Sequence, residues 1–308
     1  SDAVTPIAAS LRVDGKTLIL NTTPQQEGHD YTVTVNGLRD LAAGGNAIPA
    51  DSQAHFIAWL NEEFVGPFAS WADVKRDYGA VGDGVADDTA ALQKALDEVG
   101  TPGHAYVIYA PAGTYRITGT LTLEYRDDVG FIGEHPLNTL IVWDGPSGGV
   151  MLHCNGPTRN RVGRFTFDGR SRALSAIDHK WDGTNQPYAT TGTEYADLII
   201  QDVANGIRGG VAWNDAEVMV LRCHFLRCWE AGISLESYNY VDWWVWHSRF
   251  EDCRLGFTNI RFSGACHVYE SVFRSSTEAD ILTGNCDNFF SYRWNTSVNS
   301  KAFWLNGF

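Results

Sequence analysis

The sequence predicts an all-β chain whose greater part is a solenoid of short parallel strands closed at its N-terminal end by one helix. Three observations carry this: a recurring aromatic position, an alternation of apolar and charged residues around it, and one amphipathic segment behind a Gly-rich turn. Taking Val203, Phe225, Phe250 and Phe273 as one rung position gives steps of 22, 25 and 23 residues, the period of a coil whose turns stack on one another. Counting back two and four positions gives Gln201 and Ile199, Cys223 and Leu221, Ser248 and Trp246, Ser271 and Tyr269. These columns are expected to face inward. The alternate positions, Asp202 and Ile200, His224 and Arg222, Arg249 and His247, Val272 and Glu270, face outward, because successive strand residues point to opposite sides.

The helix comes first along the coil. In Asp77-Tyr78-Gly79-Ala80-Val81-Gly82-Asp83-Gly84-Val85-Ala86-Asp87-Asp88-Thr89-Ala90-Ala91-Leu92-Gln93-Lys94-Ala95-Leu96 a glycine turn leads into apolar residues at helical spacing. Asp87 or Asp88 caps the start, Ala91, Leu92, Ala95, Leu96 and Val99 form one stripe, and Gly100 stops the helix. A nucleotide loop is the competing reading, but the Gly-x-Lys-Ser/Thr it needs is absent. Next, Tyr106-Val107-Ile108-Tyr109-Ala110-Pro111-Ala112-Gly113-Thr114-Tyr115-Arg116-Ile117 reads as strand, Pro-Gly turn, strand, and Phe131-Ile132-Gly133 and Thr139-Leu140-Ile141-Val142 continue the pattern. The whole stretch resembles the opening of the pectate-lyase-like superfamily of right-handed parallel β-helices. That resemblance implies a right-handed parallel β-helix over residues 71–308, a capping helix near 88–99, and the handling of polysaccharides.

Residues 1–56 look like the closing strands of a bacterial Ig-like module, on Leu18-Ile19-Leu20, Tyr31-Thr32-Val33-Thr34-Val35 and the segment from Gly37 to Ile48. They are too few for a whole sandwich of about 100 residues, so a partial module is expected. Residues 57–70 read as a linker. No apolar run reaches the roughly 18 residues of a membrane span, and the chain begins at Ser1 without an initiator Met or signal peptide. A processed or excised piece of a secreted or cell-surface protein is expected. At the other end Asn306-Gly307-Phe308 falls on a rung with no terminal cap, so more coil, another chain or a partner subunit is expected to cover it.

Charge excludes some functions. With 23 Lys+Arg against 37 Asp+Glu and a net charge of -14, the surface is unsuited to nucleic acid. A generic polyanion is disfavoured too, unless a local basic patch overrides the average. Six cysteines, Cys154, Cys223, Cys228, Cys253, Cys266 and Cys286, suit either disulfides or a column of buried thiols, and their spacings match no zinc pattern. Asn205 and Asn259 suit left-handed corners or a short interior ladder.

Candidate chemistry rests on carboxylates and aromatic rings. Glu217 and Asp242 lie eight residues before Phe225 and Phe250, so they occupy one position on consecutive rungs, about 5 Å apart, the spacing of retaining glycosidases. Crowding raises the pKa of such a pair, as a general acid requires. Turn-capping is the structural alternative for Glu217 and Asp242; Asp197 is the reserve acid, with Asp202 behind it. Arg222, His247, His224 and Arg249 could bind hydroxyls or a uronate from an outward face. The step from Phe167 to Val203 widens to 36 residues, and the excess, 178–192, reads as a loop beside a binding groove. Flat rings edged by polar groups suit sugar faces, which makes Trp181, Tyr188, Trp213 and Trp243 candidate contacts, with Trp229, among the 11 Trp. A glycoside hydrolase is the leading reading. A polysaccharide lyase acting on a uronate and a non-catalytic glycan-binding or tailspike-like module are the alternatives. No cofactor is implied, calcium being the option to keep open for a lyase.

Overall fold

The computed structural model describes residues 4–11, 18–23, 25, 30–40, 45–57, 66–181, 183, 190–210, 215–236, 240–259, 265–284 and 290–307. The chain divides into two units, Ser1–Gly66 and Pro67–Phe308. In the first, Pro6–Leu11 pairs antiparallel with Leu18–Thr22, and Asp30–Val35 with Ser52–Ile57.

The second unit is a parallel β-helix of three sheets with nine, nine and eight strands among the described residues. One full turn shows the plan. Asp215–Leu221 lies in the first sheet, His224–Leu226 in the second and Ala231–Leu235 in the third, before Tyr240–Trp246 returns to the first. The corners between them are very short. A single left-handed residue turns the first sheet into the second on successive rungs, namely Asp197, Arg222, His247, Glu270 and Trp294. Asp202, Arg227, Asp252, Ser275 and Asn299 are the left-handed residues of the next corner. The left-handed region is unfavourable for such side chains, and stacking compensates: up to Glu270 and Ser275 the corner N–H donates to a carbonyl of the next rung, as Asp197 does to Leu221 and Arg222 to Trp246. Asn205 and Asn259, for which corners or an interior ladder are the two expected places, lie within third-sheet strands and are buried, which excludes the corners.

The register corrects the sequence alignment by three residues. Phe167, Ile200, Phe225, Phe250 and Phe273 are true partners on adjacent rungs, so Ile200 replaces Val203 as the anchor. Phe225, Phe250 and Phe273 are fully buried and stack face to face, with centroids 4.8 and 4.7 Å apart and planes 6° from parallel. A glycine column makes room for them. A Cβ on Gly206, Gly232 or Gly256 would come within 2.5 to 2.6 Å of the rings of Phe225, Phe250 and Phe273 respectively. The minus-two column is inward at Cys223, Ser248 and Ser271, which are buried, whereas Gln201, next to the inward Ile200, is half-buried and donates to Asp168 on the outer side. The column's hydroxyls serve the backbone: Cys223 N–H donates to Ser248 Oγ and Ser248 N–H to Ser271 Oγ. The minus-four column is not inward. Leu221, Trp246 and Tyr269 face out, because Val220, Val245 and Val268 next to them fill the core.

Helix α1, Thr89–Glu98, buries Leu92, Ala95 and Leu96. Asp88 stands at its N-cap but its carboxylate accepts instead from Val81 and Gly82 N–H, tying down the glycine turn. Asp87 takes the bond from Thr89 N–H. At the far end Gly100 has φ 70°, a left-handed conformation that glycine adopts without steric cost. Gln93 shows how the helix closes the coil. Its amide accepts from Thr122 N–H and donates to Thr122 C=O, satisfying the edge of Leu121–Glu124 as a further strand would. Cys154, Cys223, Cys228, Cys253 and Cys266 are all buried, with no disulfide among the described residues; Cys286 lies outside the described residues.

Candidate functional site

The outer face of the third sheet carries a cluster of charges that core formation does not require. In Ser175–His179, Asn205–Gly209 and Ala231–Leu235 the residues Ile177, Ile207 and Ile233 point into the core and are fully buried. Their neighbours therefore point out, and register places His153, Asp178, Arg208 and Ser234 side by side on four rungs. Asp178 is only 3% exposed. Arg208 grips it with two bonds, Nε to Oδ1 at 3.0 Å and Nη2 to Oδ2 at 2.7 Å. Lys180 Nζ reaches Oδ2 at 2.8 Å, and Arg208 Nη1 lies 3.9 Å from Glu236 Oε2.

Burial would raise the Asp178 carboxyl, but the bonds and charge of Arg208, then Lys180 and Ser175, outweigh it and hold the group below the usual carboxylate range. Burial likewise opposes the Arg208 guanidinium, and Asp178 reverses the balance and raises it. The site is thus an ionised carboxylate flanked by two cations whose side chains are 15% and 18% exposed. A buried ion group of this kind adds little net stability, since desolvation cancels much of its attraction. It does hold charges in fixed positions.

Behind this face lies His179, fully buried inside the coil. Its Nδ1 is 2.7 Å from Tyr195 OH, and its ring meets Trp243 edge-on at 5.5 Å. Burial, aided by the nearby His153, lowers its pKa to about 3. The folded value lies below the ordinary 6.5, so the unfolded chain takes up the proton first as pH falls. Stability present above pH 6.5 should therefore decline below it, by about 2 kcal/mol at pH 5. Denaturant titrations of the native protein and of His179→Gln between pH 7 and 5 check this. An equal decline in both would assign acid lability to other groups.

The expected site residues fall in several places. Glu217 and Asp242 do share a column, between the paired neighbours Ala216 and Val241 and Val218 and Trp243. Both have left-handed backbones, φ 57° and 59°, which swings their side chains off the strand. Glu217 is exposed and accepts from Thr191 Oγ1 at 2.9 Å, while Asp242 is half-buried. Asp197 is not in that column. It aligns with Arg222, whose guanidinium holds it by two bonds of 2.7 and 3.1 Å, and it is 8% exposed. Asp202 is held in the same way by Arg227.

His247 sits at a corner, 3.4 Å from Glu270. His224 and Arg249 lie on the second sheet, a different face, and His224 Nε2 is 2.8 Å from Glu251. Trp181 and Trp243 are buried, at 4% and 0% exposure, and are core rather than sugar contacts. Tyr188 and Trp213 lie outside the described residues. Of the expected loop, Asp178 and His179 belong to a strand. The sequence spacing places them in a loop because Val203 lies three residues past Ile200, the true partner of Phe167. The repeat Asn205-Gly206-Ile207, Ala231-Gly232-Ile233, Leu255-Gly256-Phe257 was the signal that locates the third sheet.

A second outward surface lies on the first sheet and includes the Leu221, Trp246 and Tyr269 column expected inside. On the first sheet Met219, Trp244 and His267 form one column and Leu221, Trp246 and Tyr269 the next. Trp244 stacks on His267 at 5.8 Å and Trp246 meets Tyr269 at 4.8 Å. Met219, Leu221, Trp244, Trp246 and His247 line a cavity of about 360 Å³.

Comparison with known proteins agrees with the fold. Residues 71–142 match the family described as rhamnogalacturonase A/epimerase, pectate lyase-like. A mannuronan C5-epimerase, AlgE2 of Azotobacter vinelandii, is 32% identical over 120 residues, which is 35% of this chain and 12% of that protein. Alginate lyase 7 of the same organism is 32% identical over 105 residues, 30% of this chain and 12% of its own length. The chain thus spans about an eighth of these relatives. Among solved structures, the iota-carrageenase of family GH82 from A. fortis covers 74% of this chain and 58% of its own, with a TM-score of 0.51 and 13% identity, a likeness of fold. The relatives by sequence are named as carbohydrate-modifying enzymes, and the family match is confined to residues 71–142, the opening of the coil.

Proposed function

We propose that the protein modifies a uronate-containing polysaccharide at the Asp178, Lys180, Arg208 and His153 cluster. The observation that carries the reading is the pair of cations fixed by one buried carboxylate on an outward sheet face. A uronate C–H beside its carboxylate is a poor acid until that negative charge is offset, and cations held in place supply the offset. Asp178 acts as the positioning residue, Arg208 and Lys180 meet the sugar carboxylate, and Lys180 or His153 moves the proton. If the neighbouring glycosidic C–O bond breaks as the double bond forms and the departing oxygen takes the abstracted proton, the outcome is elimination. If one of the two groups removes the proton and the other donates one to the opposite face of that carbon, the outcome is epimerisation. Asp178 and Glu236 balance Lys180 and Arg208, so the cluster supplies placed cations without a net basic patch. A substrate of this class lies outside the cell, in keeping with secretion or surface display.

Hydrolysis is a second reading, favoured by one observation: Glu217 and Asp242 stand one rung apart, roughly 4.8 Å, near the separation of about 5–5.5 Å used by retaining glycosidases. Products decide between them. Incubated with alginate, polygalacturonate and glycosaminoglycan uronates, the protein should yield either unsaturated ends absorbing in the near ultraviolet or altered uronate stereochemistry in proton NMR spectra. New reducing ends without unsaturation would favour hydrolysis. No change in any of these polymers would remove the uronate reading.

A further inference from the structure

We infer that the aromatic outer face of the first sheet is a docking surface for a neutral glycan, separate from the charged cluster on the third sheet. The inference rests on the reading of the protein as a polysaccharide-modifying enzyme, and it assigns a second site to that enzyme. Trp244 and Trp246 lie on one strand, with His267 and Tyr269 on the next rung. His267 and Tyr269 are themselves coplanar to within 12°, 5.8 Å apart. Trp294, 71% exposed, continues the surface 6.2 Å from Tyr269. A monomer seldom leaves such a set of rings on its surface without a use. The rings present flat faces at rung intervals of about 4.8 Å, a step similar to the advance of an extended glycan by one sugar.

Charge selects among glycans. Glu217 and Asp242 lie at the start of the same strands and Glu270 at the adjoining corner, whereas Arg293 is the permanent cation next to Tyr269. His247 is matched by Glu270 and Arg222 by Asp197. Burial lowers the pKa of His267 despite the opposing charge of Asp242, so it is neutral at neutral pH. An acidic rim around apolar rings repels polyuronates and sulfated chains, while neutral sugars can stack their C–H faces on the rings and donate hydroxyls to Glu217, Asp242 and Tyr269 OH.

The test uses the full chain and calorimetric titration with cello-, manno- and xylo-hexaose, each with and without excess alginate. At least one neutral hexasaccharide should bind. Alginate should not displace it, because the two ligands use different faces. Trp246→Ala and the exposed Trp294→Ala should each weaken that binding, Trp246→Ala by about tenfold, with unchanged thermal midpoints. Should Trp246→Ala fail to fold, Trp294→Ala and Tyr269→Ala carry the test. Binding of alginate alone, displacement of the neutral sugar by alginate, or sugar binding indifferent to these variants would overturn the inference. So would concentration-dependent self-association abolished by Trp246→Ala, which would make the face a contact between copies. Uronate turnover is measured on the same samples, so loss of the uronate reading and loss of the docking site are separately visible.

Discussion

Replacing Phe250 by Ala should destabilise the coil by about 3–5 kcal/mol, measured as a shift in the denaturant midpoint at constant slope. The ring is wholly buried between two others at 4.8 and 4.7 Å, so truncation removes contacts on both faces at once. The cavity has little means of closing. Gly232 faces the ring with no side chain to move in, and its own backbone is held close to the Gly256 carbonyl, which a Cβ there would meet at 2.7 Å. Parallel rungs above and below fix the backbone through their ladder hydrogen bonds. Phe250→Leu should cost well under half as much, since most of the volume is kept. A loss below about 1 kcal/mol for the Ala variant would show that the stack is not a shared support between rungs.

That stack explains why the fold was legible. Phe225, Phe250 and Phe273 recur because each rung must fill the same interior slot, and a slot of fixed size repeats in the sequence. The Asp87 to Leu96 segment was legible for a similar reason: a glycine turn and one apolar stripe are local requirements of the coil's end. The site was less so. Leu221, Trp246 and Tyr269 were assigned to the interior because counting by twos assumes an unbroken strand, whereas Arg222, His247 and Glu270 each insert one left-handed residue that reverses the phase. A corner Arg or Glu in that conformation has no sequence mark, since its stability comes from hydrogen bonds to the next rung. Val203 displaced Ile200 as the anchor because both are buried β-branched residues three positions apart. That shift carried Asp178 out of its strand register and hid its partnership with Arg208, which is 30 residues away.

Lys180→Met should lower turnover of a uronate polymer by at least about a hundredfold, the usual worth of a group that transfers or offsets charge at the reacting centre. The fold should survive. Asp178 keeps its two bonds to Arg208, and Met retains the apolar stem of a side chain that is only 18% exposed. Asp178→Asn differs in a way that separates positioning from chemistry. It removes the charge that both cations face and leaves them repelling each other in a site with little solvent, so stability should fall by about 3–5 kcal/mol together with activity. Substrate affinity divides the cases further: if Lys180 meets the sugar carboxylate in the ground state, KM rises in Lys180→Met, and if it moves the proton, kcat alone falls. Glu217→Gln serves as the opposing arm. Under the uronate reading it leaves kcat within a few fold of the native value, whereas under hydrolysis it, and Asp242→Asn, would take the hundredfold loss while Lys180→Met remained active. Full activity in Lys180→Met, Glu217→Gln and Asp242→Asn alike would make both the ion cluster and the carboxylate pair supports of the coil, and would move the reacting centre elsewhere on its surface.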